Sequence, residues 1–426
     1  MKASNLIKFI ENGELNATLA KIYGEENVQA QKERYLSAAG EFLSYYGDIE
    51  TSIFSVPGRS ELSGNHTDHN HGKVMAGSID LDIIAFASKT DDGVIRIKSQ
   101  GFDEDAVNIN EYKEPKEADF FKSSALIAGM SRAFENYGAT SGGYCAYTTS
   151  NVFKGSGLSS SAAFEVMVGN ILNYFYNDGK VDNVEIAKMA QYSENVFFGK
   201  PCGLMDQMAC AVGGFVYIDF DDTKNPVIEK IPFDLSGAGY ALCIVNTGGN
   251  HADLNEDYAS VPYEMKSVAK YFGKEYLRQL DKASVLENVQ VLREKCGDRA
   301  ILRAIHFFNE NDRVAKQANA LKSGDVDSFL KFVIKSGNSS FMYLQNVFTT
   351  KNVQEQGLSL ALAITDSVLA GKKCAYRVHG GGFAGTIQAF VKTELVEEYR
   401  QAIDSAFGKG ACHVLRIRPD GAIKVF

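Results

Sequence analysis

The chain has no excess of positive charge: across 426 residues, 44 Lys and Arg stand against 53 Asp and Glu, a formal net charge of -9. Sequence-independent binding to nucleic acid depends on a positive footprint, so no nucleic-acid partner is expected beyond a local pocket for a nucleotide. The seven cysteines include no CxxC pair and are odd in number. That pattern fits reduced thiols better than a disulfide frame or a zinc site. No apolar run approaches the roughly eighteen residues of a membrane helix. The opening MKASNLIKFIENGELNATLAKIYG lacks the apolar core of a signal peptide. A cytoplasmic protein with no membrane partner is expected. Repeats and low-complexity tracts are also missing, and 45% hydrophobic with 23% charged residues is ordinary globular usage, which argues against disorder and coiled coil.

The length suggests two or three domains of roughly 150 residues each. Up to about residue 48 the apolar spacing predicts two or three amphipathic helices. TSIFSVPG and KVMAGSIDLDIIAFAS then predict strands, with VIRIKSQ as a hairpin partner after an Asp-Asp-Gly turn. FFKSSALIAGMSRAFENY reads as helix, YCAYTTSNVF as strand, and VEIAKMAQYSENVFFG as a helix ending at Gly199. GGFVYIDF and YALCIVNT predict further strands, and long helical stretches follow. They are interrupted by CAYRVHGGGFAGTIQAFV, two strands hinged at glycines. The expectation is an α+β protein of two domains, 1–220 with extra N-terminal helices over about 1–35, and 221–426.

Three polar stretches carry the chemistry. In Lys154 to Ala163 (KGSGLSSSAA), glycines and serines run into the apolar segment Ala162 to Tyr176. Serines before a helix are preferred caps, and glycines let backbone approach a ligand. The stretch therefore reads either as an anion site at a helix N-terminus or as a capped loop. It is not a Walker A motif, which needs Gly-Lys-Ser/Thr at the helix start. Pro57 to Gly72 (PGRSELSGNHTDHNHG) is dense in hydrogen-bonding side chains. Such density suits a polyhydroxylated ligand, although a solvated loop, or a metal held by His66, His69 and His71, remains open. Glu194 and Asp206 could serve Mg²⁺ and a substrate proton respectively, or simply be a surface Glu and a capping Asp. Asp206 lies among Leu204, Met205 and Met208, where a carboxylate needs a cation partner such as Arg59. The third stretch, His379 to Gly385 (HGGGFAG), is a weak signal alone.

In this order the three stretches resemble the GHMP small-molecule kinases and, within them, the galactokinase branch. CGLMDQ, NTGGNHADLNEDY and RAIHFFNENDRV add lesser matches. The resemblance spans roughly residues 35 to 420. It implies a two-domain GHMP kinase fold: an N-terminal domain like ribosomal protein S5 domain 2 and a ferredoxin-like α+β C-terminal domain. It also implies ATP and Mg²⁺ as cosubstrates and a monosaccharide, by default galactose, as acceptor. Position by position, Asp206 resembles the base for the sugar C1 hydroxyl and Arg59 the electrostatic stabiliser. Ser161 and Glu194 match the Mg²⁺ ligands. Gly155, Ser156, Gly157, Leu158, Ser159, Ser160 and Ser161 fall on the ATP phosphate loop. Asn65, His66, Asp68, Gly203 and Tyr258 match substrate contacts.

The chain also departs from the family pattern. Gly-Glu-His-Thr-Asp is usual where this chain has Asn65, and Val-Asn where it has Ser60-Glu61. The family's Glu contacts a sugar hydroxyl far from the reacting carbon, so the departure bears on sugar identity. Phe153 replaces a usual proline, and the arginines that normally follow Tyr258 are absent. Alternatives to a galactose kinase are a GHMP kinase for another monosaccharide and a non-catalytic sugar and ATP sensor.

Overall fold

A computed structural model of the chain describes residues 1–153, 157–249 and 254–426. In chain order the elements begin with α1 (Ala3–Glu11), α2 (Asn16–Tyr23), α3 (Val28–Tyr46), β1 (Ser52–Ser63), β2 (Lys73–Lys89), β3 (Val94–Ser99) and β4 (Glu104–Asn108). They continue with α4 (Ser123–Tyr137), β5 (Tyr144–Ser150), α5 (Ser160–Tyr176), α6 (Asn183–Tyr192), α7 (Met205–Val212), β6 (Phe215–Asp219), β7 (Val227–Ile231) and β8 (Tyr240–Asn246). Then come α8 (Asn255–Tyr271), α9 (Lys282–Glu287), α10 (Val289–Lys295), α11 (Asp298–Lys322), α12 (Val326–Ser339) and α13 (Gly357–Leu369). The last are β9 (Ala375–His379), β10 (Thr386–Lys392), α14 (Val396–Phe407), β11 (Cys412–Leu415) and β12 (Ile423–Lys424).

These elements form two compact units, one of Met1–Arg59, Ser78–Gly214 and Arg418–Phe426, the other of Ser60–Gly77 and Phe215–Ile417. The division differs from the expected cut after residue 220. β1 and β2 are long enough to belong partly to each unit, and the C-terminal residues return to the first, so sequence order and compactness do not coincide.

In the first unit the strand order is β12-β1-β2-β5-β3-β4. β3 runs parallel to β5 (Ile95 opposite Tyr144) and antiparallel to β4, while β2 pairs antiparallel with β5. The hairpin expected of β2 and β3 is therefore not formed. β5 lies between them, with Tyr144, Cys145, Ala146 and Tyr147 all buried. Alternation reports which face is buried but not which strand is the neighbour. Helices α4 and α6 press on α5 at Gly169, where an added Cβ would lie 2.6 Å from Met130 Cε and 2.8 Å from Ile186 Cγ2. The N-terminal helices bury Leu6, Ile10, Leu19, Tyr35 and Phe42 together with Ile84 and Phe86 of β2.

Beneath those helices sits Asp82, fully buried and paired with Arg34 at 2.7 Å and Arg418 at 3.2 Å. Tyr23 donates to it at 2.5 Å, and the Ser55 hydroxyl donates as well. Burial opposes ionisation of Asp82, but the two guanidiniums and the hydroxyls outweigh it and hold the carboxyl below its ordinary range. Helices α2 and α3 are thus bound to the sheet by a buried charge cluster as well as by apolar packing.

In the second unit, the start of β2 pairs with β6, which pairs with β7. A separate antiparallel sheet has the order β11-β8-β10-β9. Its core joins Cys243, Val245, Ile387 and Val391 to Leu358 and Leu369 of α13 and Tyr399 and Ile403 of α14. A neighbouring cluster packs Val261, Met265 and Val268 of α8 on Ala304 and Phe307 of α11. α14 has no counterpart among the expected elements, because it buries only Tyr399 and Ile403 in a strongly polar stretch.

Candidate active site

β1 brings Arg59 against the start of α5. At Gly58 a Cβ would lie 2.8 Å from the Leu158 carbonyl, and the Arg59 N–H donates to that carbonyl at 3.1 Å. Only glycine permits this approach. The Arg59 side chain is then committed to Asp206, with Nε donating to Oδ1 and Nη2 to Oδ2, each at 2.7 Å. Its Nη1 donates to the Gly157 carbonyl. Two parallel bonds from a planar guanidinium fix the carboxylate's orientation as well as its charge. Asp206 is the second residue of α7, where the helix dipole favours a negative group. Its side chain keeps 36% exposure while that of Arg59 keeps 10%, so the carboxylate is held from behind and open in front.

Ser159 completes this cluster. It adopts a left-handed backbone at φ 61°, and its Oγ donates to Asp206 Oδ2 at 2.5 Å. The hydroxyl therefore does not cap α5, which has no side-chain cap at its N-terminus among the described residues. The capping expected of the serines is in this respect replaced by a contact to the carboxylate. Of the phosphate-loop residues, Gly155 and Ser156 lie outside the described residues. Leu158 is buried, Gly157 is exposed, and Ser160 and Ser161 form the first turn of α5. These two serines also line a cavity of about 650 Å³, together with Ser99, Gln100, Phe102 and Val152. A cleft of that size beside a helix N-terminus has the form of a nucleotide site.

Glu194 lies on a one-turn π segment, Ser193–Phe197, that extends α6, a distortion common at functional positions. It is 2% exposed and needs a cation. Lys200 Nζ supplies one at 2.8 Å on Oε1, while Gln207 Nε2 donates to Oε2 at 2.7 Å. The same Gln207 nitrogen reaches Glu165 at 3.2 Å. Burial, then the charge of Glu194, pushes the Glu165 carboxyl well up, and among the described residues its Oε1 has no hydrogen-bond partner. Sequence reading missed Glu165, Lys200 and Gln207. A glutamate inside an apolar helix was the available signal. For a divalent cation, the hydroxyl of Ser161 and the carboxylate of Glu194 are hard oxygen donors. Among the described residues no cluster of three or more acidic, His or Cys side chains is poised to hold a metal. Oxygen donors of this kind suit Mg²⁺, which takes few protein ligands and keeps phosphate and water oxygens, although in this structure both Glu194 oxygens are engaged by Lys200 and Gln207.

The remaining candidates fall in the second unit, except Gly203, which is exposed just before α7. His66 is left-handed at φ 57° and its Nε2 lies 2.8 Å from the Gly381 carbonyl. The Tyr258 hydroxyl donates to the Gly382 carbonyl at 2.9 Å. Asp68, half-buried, opens a short turn, Asp68–Asn70. Of the loop's three histidines, the rings of His66 and His69 lie 5.8 Å apart, while the His71 ring stacks on Tyr276 at 3.8 Å. Asn65 was expected to face substrate, but its amide is used inside the protein. Nδ2 donates to Glu61 Oε1 at 3.0 Å and to the Gly380 carbonyl at 2.6 Å, and Oδ1 accepts from Asn346 Nδ2 at 2.7 Å.

Comparison with known proteins identifies the family. Residues 123–214 match the GHMP kinases N terminal domain, and residues 40–89 match the galactokinase galactose-binding signature. The chain is 30% identical over 379 residues to a galactokinase of Streptomyces coelicolor, covering 88% of this chain and 94% of the relative. It is 31% identical over 374 residues to a galactokinase of Actinobacillus pleuropneumoniae serotype 3, covering 87% and 93%. The fold is similar to that of Lactococcus lactis galactokinase complexed with galactose, with a TM-score of 0.75 at 24% identity over 92% of this chain and 100% of that one. A mevalonate kinase is similar with a TM-score of 0.60 at 17% identity, covering 86% and 98%. The chain belongs to the galactokinase family of the GHMP kinases, phosphotransferases that act on an alcohol group.

Proposed function

We propose that this chain is an ATP-dependent sugar 1-kinase whose acceptor is galactose. The observation that carries the reading is the bidentate pair of Arg59 and Asp206 with the Ser159 hydroxyl on the same carboxylate. In the proposed reaction the sugar C1 hydroxyl attacks the γ-phosphorus of ATP. A bond forms from the sugar oxygen to phosphorus, the bond from phosphorus to the β–γ bridging oxygen breaks, and ADP leaves. Asp206 takes the hydroxyl proton. Arg59 holds Asp206 in place and offsets negative charge on the phosphoryl group in flight, where positioning and electrostatics supply most of the catalysis.

The phosphates are assigned to the loop Gly155 to Ser161 and the N-terminus of α5, with the nucleoside in the cavity of about 650 Å³. Ser161 and Glu194 would hold Mg²⁺, which supplies positive charge against the phosphates. His66, Asp68, Gly203 and Tyr258 are assigned to the sugar, and a cytoplasmic location accords with these substrates. The test is ADP release by purified protein given ATP, Mg²⁺ and a panel of monosaccharides. Turnover with galactose is expected. No turnover with any sugar, despite nucleotide binding, would leave a sensor rather than a kinase. Turnover with another sugar alone would keep the mechanism and replace the substrate.

A further inference from the structure

The carboxylate assigned to Mg²⁺, Glu194, has a partner on each oxygen. Lys200 Nζ lies 2.8 Å from Oε1, and Gln207 Nε2 donates to Oε2 at 2.7 Å. The two partners differ in kind. Gln207 is fully buried and neutral, so it orients the carboxylate without balancing its charge. Lys200 brings the charge, and its side chain is 53% exposed while that of Glu194 is 3% exposed.

The local backbone carries Lys200 to this position. The π segment Ser193–Phe197 ends just before Gly199, which is left-handed at φ 76°. That turn lets the Lys200 N–H donate to the Glu194 carbonyl at 3.1 Å. Backbone and side chain of Lys200 therefore both come back to Glu194. The Gln207 nitrogen on Glu194 also reaches Glu165, at 3.2 Å. Two buried carboxylates thus share one amide, and Lys200 supplies positive charge to them.

An ammonium and a divalent cation on one carboxylate repel each other, and Mg²⁺ demands short, regular oxygen contacts. A lysine on a flexible stem, half in water, gives up one ion pair at little cost. A buried neutral amide has no charge to conflict with the metal. We infer that Lys200 is a displaceable counter-ion: it neutralises Glu194, competes with Mg²⁺ for that carboxylate and gives way to it, while Gln207 stays. The inference rests on the assignment of Glu194 to Mg²⁺ in the sugar-kinase reading. Lys200 is in this sense a positioning residue that sets metal affinity.

The test titrates Mn²⁺, a spectroscopic stand-in for Mg²⁺, into the nucleotide-free protein and follows the free ion by electron paramagnetic resonance. Lys200→Met should bind Mn²⁺ about fivefold more tightly, the upper range for one exposed ion pair. Lys200→Gln, also uncharged, should show the same tightening. In EDTA the melting temperature of either variant should fall by about 2 °C or more, because a buried carboxylate has lost its cation. Saturating Mn²⁺ should remove that difference. Lys200→Arg keeps a cation on Glu194 and should bind Mn²⁺ no more tightly than the unaltered protein. Lys188, whose ammonium lies 2.8 Å from Glu185, is the control for net charge. Lys188→Met should change Mn²⁺ affinity by less than about twofold, since screening weakens charges beyond their immediate partners. The tightening should vanish when Lys200→Met is combined with Glu194→Gln. Unchanged or weaker Mn²⁺ binding in Lys200→Met overturns the inference. So does a tightening that Lys200→Arg or Lys188→Met reproduces, or one that survives Glu194→Gln. Turnover of a sugar without these Lys200 effects leaves the kinase reading standing and this inference lost. The Lys200 effects without turnover of any sugar give the reverse.

Discussion

Asp206 shows how much depends on the company of one carboxylate. Arg59 and Ser159 fix both its oxygens from behind, and its remaining exposure faces outward. Asp206→Asn keeps the shape and removes the proton acceptor. It should lower kcat by about a hundredfold or more while leaving ATP affinity unchanged, since a general base acts in the transition state and not in ground-state binding. Steady-state kinetics with a separate nucleotide titration checks this, and near-normal kcat would remove Asp206 from that role. Gly382 is a second position where one atom decides. It has φ 78°, and an added Cβ would lie 2.1 Å from the Asn346 carbonyl. Gly382→Ala should cost about 2 kcal/mol or more of stability from backbone strain and should raise KM for the sugar. Urea unfolding and sugar titration measure the two effects. The candidate residues at these positions could be named from the sequence because their types and order are distinctive. That Asn65 would be saturated internally could not, since its partners Gly380 and Asn346 are hundreds of residues away in the chain.

At the scale of elements, the N-terminal helices are explained by Asp82. The sequence shows their amphipathic faces, but nothing in periodicity says that Tyr23 and Arg34 converge on a carboxylate in β2. Arg34 also donates to the carbonyls of Asp82 at 2.9 Å and Thr149 at 3.2 Å. Removing one partner of a buried charge leaves the rest under-compensated. Arg34→Met should therefore cost about 3 kcal/mol or more, seen as a lower urea midpoint. A midpoint unchanged by Arg34→Met would mean that Arg418 alone suffices. The β2–β3 hairpin and the missing α14 are the counterpart failures. A turn signal marks a reversal without choosing the strand that fills the next place in the sheet. A helix with two buried residues has too faint an apolar stripe to read.

For the molecule as a whole, acid stability is a property that no single element carries. His306 is fully buried, and burial pulls it down to about 4, with Glu310 opposing; Glu310 itself is lowered to about 2, because Arg313 and Arg377 overcome its own burial. Both folded values lie below the ordinary ones of 6.5 and 4.5. Between pH 6.5 and 4 the unfolded chain protonates His306 and the folded chain does not, so stability present above pH 6.5 is lost as pH falls to 4. Glu310 adds the same sign of loss between 4.5 and 2. The His306 contribution is on the order of 3 kcal/mol. Melting temperatures across this range should fall with pH, and His306→Gln should flatten the limb between 6.5 and 4. A variant with the unaltered slope would assign that limb to other groups.

The sequence by itself determined the class of the chain, the positions of most helices and strands, and its family, because composition, periodicity and short motifs are local properties. Tertiary structure decided the use of Ser159 on the Asp206 carboxylate rather than on the helix, the internal commitment of the Asn65 amide, and the division into two discontinuous units. Each of these depends on which distant groups a side chain meets, and hydrogen-bond capacity is finite. Residue type sets how many bonds a side chain can make; only the fold sets which are already made.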